Sequence, residues 1–337
     1  MTFTQTILHW YDAHGRDLPW RRTRDPYAVW LSEIILQQTR IAQGTVYWER
    51  FMARFPDVLS LAAASEDEVL RLWEGLGYYS RARNLHAAAK QIAALGAFPD
   101  TLEGIRALKG IGDYTAAAIG SIAFGLRAAV VDGNVYRVLS RHFGIDTPIG
   151  TTATAKQFGA LAQSLLPEDR PGDFNQGMMD FGAMQCTPRN PACLTCPLGA
   201  TCRALESGRV GSLPVKKAGP SVTERYFTYI YLRVGNQTAI HRRSAGDIWQ
   251  GLWEPLLLEH DASAAPQWPA WVANGTLMPL RKGVRHVLTH RILHADFYLF
   301  VSGKRPPLPE GFRWIPENGL DAYAKPRLFE RLLDELF

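Results

Sequence analysis

Cysteine is scarce in this chain: four among 337 residues, all lying between positions 186 and 202. Thiols that staple a secreted fold are spread along a short chain, so this clustering excludes a disulfide scaffold. Long apolar runs are absent too, which excludes a helical membrane span. The opening Met1-Thr-Phe-Thr-Gln lacks the basic-then-apolar pattern of a secretory signal, so the expected location is the cytosol, with no membrane partner. Neither an internal repeat nor a low-complexity tract interrupts the chain. Excess charge of one sign is small: 37 Lys and Arg against 32 Asp and Glu give a net charge of +5. That balance permits a polyanionic partner without demanding one.

What is present divides in two. Up to about residue 205, apolar residues recur at three- and four-residue steps between short Gly, Pro or Asp breaks, which predicts helices. Val29–Trp48, Glu66–Gly75 (opened by Ser65), Ser80–Ala94, Thr151–Leu166 and Gln176–Gln185 are examples. Residues 207–221 mix Gly, Pro, Ser and Lys without periodicity, which is linker composition. Beyond them Tyr226–Val234, a Gly235-Asn236 turn and Thr238–Arg243 predict a β-hairpin, and Val284–Val301 predicts more strand. The expected architecture is multidomain: an all-α domain over 1–206, a linker at 207–221, and a smaller α+β domain over 222–337.

Cys186, Cys193, Cys196 and Cys202 are spaced C-x6-C-x2-C-x5-C. Four thiols from one loop suit a tetrahedral thiolate site, and both zinc and a 4Fe-4S cluster qualify. Structural zinc sites usually show two C-x2-C knuckles; only one is here, and the uneven spacing favours iron and sulfur. Gly110 and Gly112 open a helix at Leu108–Ile119. They fit either an ordinary helical corner or a turn whose backbone N–H groups hold a nucleic-acid phosphate. Asp132 is enclosed by Ala128–Val131 and Val135, and could cap the helix that follows or stabilise positive charge on a sugar. Glu33 shares a helical face with Trp30 and Leu36; a poorly solvated carboxyl there would keep its proton near neutrality and act as a general acid.

Together these motifs resemble the MutY-type adenine DNA glycosylases of the helix-hairpin-helix superfamily. The resemblance rests on W-L-S-E-x-x-L-Q-Q-T at 30–39, G-L-G-Y-Y-x-R-A-R-N-L at 75–85, the hairpin at 108–119, D-G-N-V at 132–135, M-M-D-F-G-A at 178–183 and the cysteine run. It implies a helical glycosylase domain with a cluster loop at 186–202, one 4Fe-4S cluster per chain, and a Nudix-like C-terminal domain. It further implies removal of adenine mispaired with 8-oxoguanine or guanine. Glu33 would protonate the flipped base, Asp132 would face the sugar and Asn134 would hold that geometry. Trp20, Arg21, Gln37 and Asp180 would shape or contact the adenine pocket, Thr39 would contact substrate or DNA, and Gln38 and Tyr78 would wedge the helix open. Lys109, Gly110 and Gly112 would meet a phosphate. Tyr114 stands where endonuclease-III-like relatives carry a lysine nucleophile, so the implied enzyme is monofunctional; the alternative is a glycosylase and lyase acting on oxidised pyrimidines. Leu288, Thr289 and His290 stand where the family has Phe-Ser-His, and would read the lesion. The metal-binding glutamate box of Nudix hydrolases does not follow Ile248–Glu254. The implied partner is mispaired duplex DNA bound by a monomer, in a cytoplasmic, nucleoid-associated setting, alongside a replication clamp or abasic-site repair enzymes.

Overall fold

The computed structural model describes residues 1–217, 222–262 and 264–337. The chain divides into two compact units, one of Met1–Ala63 with Asn84–Ala218 and the other of Ala64–Arg83 with Gly219–Phe337. Helices α1 (Phe3–His14), α2 (Pro26–Ile35), α3 (Ile41–Arg54), α4 (Val58–Ala63), α5 (Glu66–Leu72), α6 (Ser80–Leu95), α7 (Leu102–Ala107), α8 (Asp113–Ala123), α9 (Gly133–Phe143), α10 (Thr152–Leu165), α11 (Pro171–Asp180) and α12 (Arg203–Glu206) precede the strands.

Local chemistry sets the helix starts. Thr2 and Thr151 form capping boxes at α1 and α10, Ser65 caps α5, and Asp25 accepts two backbone N–H groups just before Pro26. Helix α9 begins on Asp132 and stops at Gly144, whose φ of 70° closes it in the left-handed conformation. The first unit's core joins Ile7 and Trp10 of α1, Val135, Val138 and Leu139 of α9, Phe158 of α10, and Phe174 and Met178 of α11. Each full burial of a side chain this size contributes about 2 kcal/mol.

Two expected helices differ. Val29–Trp48 is not continuous: α2 ends at Ile35 and α3 begins at Ile41, with Gln38 between them at a φ of 56°. The apolar periodicity runs unbroken through Ile34, Ile35, Leu36 and Ile41, so no stop signal marked the break. Gln176–Gln185 lies partly in α11 and partly in a π-helical turn at Phe181–Gln185, which carries Cys186. Of the expected linker, residues up to 217 lie along the first unit, where Leu213 is buried and Ile149 donates to the Val215 carbonyl at 2.9 Å. Residues 218–221 fall outside the described residues.

The second unit holds strands β1 (Thr223–Arg233), β2 (Gln237–Arg242), β3 (Trp253–Glu254), β4 (Leu256–His260), β5 (Thr276–Val287), β6 (Arg291–Val301) and β7 (Phe312–Pro316), with helix α13 (Arg327–Leu333) after them. One sheet has the order β4-β1-β6-β5 and the other β3-β2-β7. The β1–β6 pair is parallel and fixed by Tyr226 opposite His294. Phe227, Tyr229, Tyr231 and Phe297 pack with Leu328, Phe329 and Leu332 of α13. The predicted β1–β2 hairpin keeps its Gly235-Asn236 turn, closed by Val234 and Gln237, but its arms part into different sheets. Inward residues of both arms are apolar, so alternation alone does not reveal that each pairs elsewhere. The expected Val284–Val301 strand is itself a hairpin, β5 turning at Thr289-His290 into β6.

Candidate active site

A cavity of about 310 Å³ opens in the first unit where α2, α8, α9 and α11 converge. Glu33 and Ser32 reach it from α2, Tyr114 from α8, Asp132 and Asn134 from the start of α9, and Gln176 and Met179 from α11. Burial pushes the Glu33 carboxyl up to about 7, against a hydrogen bond with Tyr114 and the charge of Arg21, while the neighbouring Asp132 adds to the rise. The residue keeps some accessible surface, and it lines the cavity. Tyr114 is itself held neutral, chiefly by the Glu33 charge and then by burial.

Asp132 sits in a different environment. Burial raises its carboxyl, but its Oδ1 accepts the N–H groups of Asn134 at 2.9 Å and Val135 at 2.8 Å, and its Oδ2 accepts Asn134 Nδ2 at 2.8 Å. Those three donors favour the ionised form. Asp132 caps α9 and also lines the cavity. Asn134 is fixed in turn, because Arg137 Nη2 donates to its Oδ1 at 2.8 Å and to the Gly182 carbonyl at 2.6 Å. Arg137 Nε donates to the Cys186 carbonyl at 2.7 Å. A Cβ on Gly182 would stand 2.6 Å from the Asn134 Cβ, so the glycine of the 178–183 motif is required for this close approach.

Trp20, Arg21, Gln37, Gln38 and Thr39 all line the cavity, as does Arg16. Trp20 is also largely buried, edge-on to Trp48 with ring centroids 5.9 Å apart. Asp180 is not among the lining residues. It is wholly buried and binds Arg21 Nη1 at 2.6 Å, Arg16 Nε at 2.8 Å and the Arg16 backbone N–H at 3.0 Å. Burial would raise this carboxyl, yet the hydrogen bonds of Arg21 and Arg16 hold it below the usual carboxylate range. Asp180 therefore bears on the cavity by aiming two guanidinium groups.

At the hairpin, Gly110 has a φ of 77° and leaves no room for a Cβ beside Asn84, 2.6 Å away. Gly112 caps α8 with nothing within 4 Å of a Cβ position, so its glycine is not set by packing. The exposed Lys109 donates its backbone N–H to Gln91 Oε1 at 2.7 Å and is not among the residues that line the cavity. In the second unit, Tyr78 is exposed at a φ of 46°, and its hydroxyl meets that of Thr289. Thr289 and His290 form the exposed β5–β6 turn, whereas Leu288 packs against the core.

The four cysteines are reduced and partly buried. Burial pushes the Cys196 thiol up to about 11, and each of the other three cysteines adds to the rise, so all four lie within electrostatic reach of one point. Arg141 Nη1 approaches Cys186 Sγ at 3.4 Å, and Cys202 Sγ lies 3.5 Å from the Arg141 carbonyl. Among the described residues no three side chains are drawn into metal-coordination geometry. The donor set nevertheless fits a thiolate-bound cluster, since buried guanidinium groups stand beside sulfurs that would carry negative charge.

Residues 31–164 match the HhH-GPD superfamily of base excision DNA repair proteins, and residues 228–335 match the NUDIX domain. The chain is 37% identical to an adenine DNA glycosylase of Buchnera aphidicola subsp. Schizaphis graminum, over 74% of this chain and 73% of that one. It is 36% identical to the adenine DNA glycosylase of Schizosaccharomyces pombe, covering 95% of this chain and 86% of that protein. The chain belongs to the adenine DNA glycosylase family. Against the human adenine DNA glycosylase the identity is 44% over 65% of this chain, and the match spans only 44% of that longer protein. A thermostable thymine-DNA glycosylase aligns with a TM-score of 0.56 at 33% identity, over 61% of this chain and 95% of its own. A DNA-trapped endonuclease III shares the fold at a TM-score of 0.52 and 21% identity.

Within this adenine DNA glycosylase family member, the structure brings together nine of the sequence-read residues at one cavity: Trp20, Arg21, Glu33, Gln37, Gln38, Thr39, Tyr114, Asp132 and Asn134. Arg16, Gln176 and Arg137 escaped the sequence reading. Gln176 stands three residues from Met179 on the α11 face that carries the 178–183 motif, and that spacing was the available signal.

Proposed function

We propose that this chain removes adenine from A:8-oxoguanine and A:G mispairs in duplex DNA by hydrolysis, acting as a monomer and leaving an abasic site. The observation that carries the reading is the carboxyl pair in one cavity, with Glu33 raised to about 7 and Asp132 supplied with three hydrogen-bond donors. Glu33 donates its proton to the extruded adenine as the N-glycosidic bond breaks and its electron pair leaves with the base. Asp132, held by Asn134, offsets the positive charge that develops on the sugar, and water adds at the anomeric carbon. Extruding the base costs a few kcal/mol, which the Gln38 and Tyr78 wedges and contacts from Trp20 and Arg21 offset. Lys109 and the Gly110–Gly112 turn bind a phosphate and place the duplex.

No lysine is among the described residues that line the cavity, and Tyr114 hydrogen-bonds Glu33, which supports simple hydrolysis over Schiff-base chemistry. Cys186, Cys193, Cys196 and Cys202 would hold one 4Fe-4S cluster per chain, whose contribution is to fix the loop and its basic surface. Among the described residues no helix is long and apolar enough to cross a membrane, and we place the enzyme in the cytoplasm with the nucleoid. Downstream, abasic-site enzymes and a replication clamp would be its protein partners.

The test is a panel of duplexes carrying A opposite 8-oxoguanine, A opposite G, and an oxidised pyrimidine. Adenine release from the first two, with strand breaks only after alkali and little borohydride-trapped adduct, is the expected result. Release of the oxidised pyrimidine with abundant adduct would establish the endonuclease-III-like alternative. Lesion reading by Thr289 and His290 predicts a second outcome. Alanine at both positions should lower the preference for 8-oxoguanine over guanine by about tenfold, a single hydrogen-bonded base contact's share of discrimination. Unchanged preference would remove the turn from recognition.

A further inference from the structure

The cavity that holds Glu33 is also lined by two guanidinium groups, those of Arg16 and Arg21. That combination carries a conflict. A cation beside a carboxyl favours its ionised form, and Arg21 acts on Glu33 in that direction. An acid that must give up a proton near neutrality is poorly served by such a neighbour.

Asp180, the last residue of α11, is wholly buried and does not line the cavity. Five N–H donors converge on its carboxylate: Arg21 Nη1 at 2.6 Å and Nη2 at 2.9 Å, Arg16 Nε at 2.8 Å, Arg16 Nη2, and the Arg16 backbone N–H at 3.0 Å. One bidentate arginine is a complete partner for a buried carboxylate, yet two arginines are gathered here. Arg21 is held from other sides as well. Its Nη1 donates to the Arg16 carbonyl at 3.2 Å, and its guanidinium lies over the Tyr11 ring, 5.7 Å from the centroid. Only 10% of the Arg21 side chain is exposed, against 28% for Arg16, so Arg16 alone has a ready path to water.

The other titratable groups beside Glu33 are Tyr114 of α8, which hydrogen-bonds it, and Asp132 at the start of α9, whose charge opposes ionisation. From α11 the cavity is lined by Gln176 and Met179, which do not titrate. Arg21 is thus the cation that bears on the Glu33 proton, and Asp180 is the counter-ion of Arg21.

We propose that Asp180 is the counter-charge of the general acid: by holding Arg16 and Arg21 on one buried carboxylate, it lets cations line the base pocket while Glu33 keeps the proton it must donate. Asp180 is a positioning residue, because it acts through the two arginines, and the assignment rests on the function proposed for Glu33. Burial opposes its ionisation, but the hydrogen bonds of Arg21 and Arg16 hold its carboxyl below the usual range, so it stays charged while Glu33 titrates. The signs follow. Asp180→Asn removes a negative charge, leaves Arg21 uncompensated and lowers the Glu33 carboxyl. A unit charge uncovered about 10 Å away in a partly buried site moves a neighbour by roughly one pH unit. Arg16→Gln removes a positive charge and acts in the opposite direction, by less because Arg16 is the more exposed.

Carbon-13 labelling of the glutamate carboxyls in the full-length chain reads the Glu33 proton directly, its resonance being assigned by its loss in Glu33→Gln. The wild-type midpoint should lie at about 7, that of Asp180→Asn roughly one unit lower, and that of Arg16→Gln above the wild type. The falling limb of kcat/KM for adenine release should move with the midpoint. The deficit of Asp180→Asn against the wild type should therefore shrink several-fold from pH 8 to pH 5.5, whereas mere damage to the fold gives one deficit at every pH. A Glu33 midpoint that is unmoved in Asp180→Asn, or that moves the same way in both variants, would overturn the counter-charge. If Asp180→Asn does not fold, Arg16→Gln decides alone, and an unmoved or lowered midpoint there overturns it. Midpoints that shift as expected while the rate profiles stay in place uphold the counter-charge and show that Glu33 is not the proton donor.

Discussion

Replacing Glu33 with Gln should lower the single-turnover rate of adenine release by about 10³-fold, the middle of the range for loss of a positioned general acid. Gln has nearly the same shape and keeps an acceptor for Tyr114, so the cavity should survive and mispaired DNA should still bind. The pH dependence gives an independent check. A group that must be protonated to act, and whose carboxyl sits at about 7, gives a wild-type kcat/KM that is maximal on the acid side and falls as pH rises through about 7. That limb should be missing from the residual activity of the variant. Stability should move the other way. The folded chain binds the Glu33 proton more tightly than the unfolded chain does, so wild-type stability declines between pH 4.5 and about 7. A neutral Gln escapes that loss and should raise stability at pH 8 by up to about 3 kcal/mol, visible as a higher Tm. A variant that is inactive but less stable at pH 8 would show that Glu33 is held for packing rather than for its proton.

The two acids were legible because each breaks an apolar pattern without an evident solvent-facing reason, Glu33 between Trp30 and Leu36 and Asp132 between Val131 and Val135. Ser65 announced its helix because a capping side chain acts within three residues of itself. The cysteine run was equally local. What the sequence hid were features set by distant partners. Nothing in Leu36–Arg40 signals that Gln38 leaves the helix, since the break is imposed where the cavity opens and local periodicity continues across it. Arg137 carries no local signal, and it is buried where it meets carbonyls of Gly182 and Cys186, some 45 residues away. Asp180, expected to shape or contact the pocket, bears on it through Arg16 and Arg21 rather than by lining it, a distinction that only the direction of α11 could make. The β1–β2 arms likewise separate because β4 and β6 take the two edges of β1.

Asp132→Asn should lower adenine release by about 10³-fold as well, through loss of the charge facing the sugar. The fold should hardly respond. Asn is as good an N-cap as Asp, so its Oδ1 can still accept from the Asn134 and Val135 N–H groups that start α9. The contact with Asn134 Nδ2 is the one that suffers, because an amide nitrogen now faces it. Asp132→Ala separates the two duties of this residue: the same loss of rate, but about 1 kcal/mol of stability gone with the cap. Equal activity loss with unequal melting temperatures is therefore the expected signature of a carboxylate that caps its helix and serves the reaction. If Asn retains near-normal activity, the negative charge is not what the reaction uses, and the cap alone accounts for Asp132. The buried Arg137 then has a clear physical purpose on the first outcome. By fixing Asn134 from behind, it lets Asn134 hold Asp132 toward the cavity while the two backbone N–H donors hold it to the helix. A carboxylate restrained on both oxygens loses little freedom when positive charge appears beside it, and that preorganisation is what makes one charge worth several kcal/mol at a transition state.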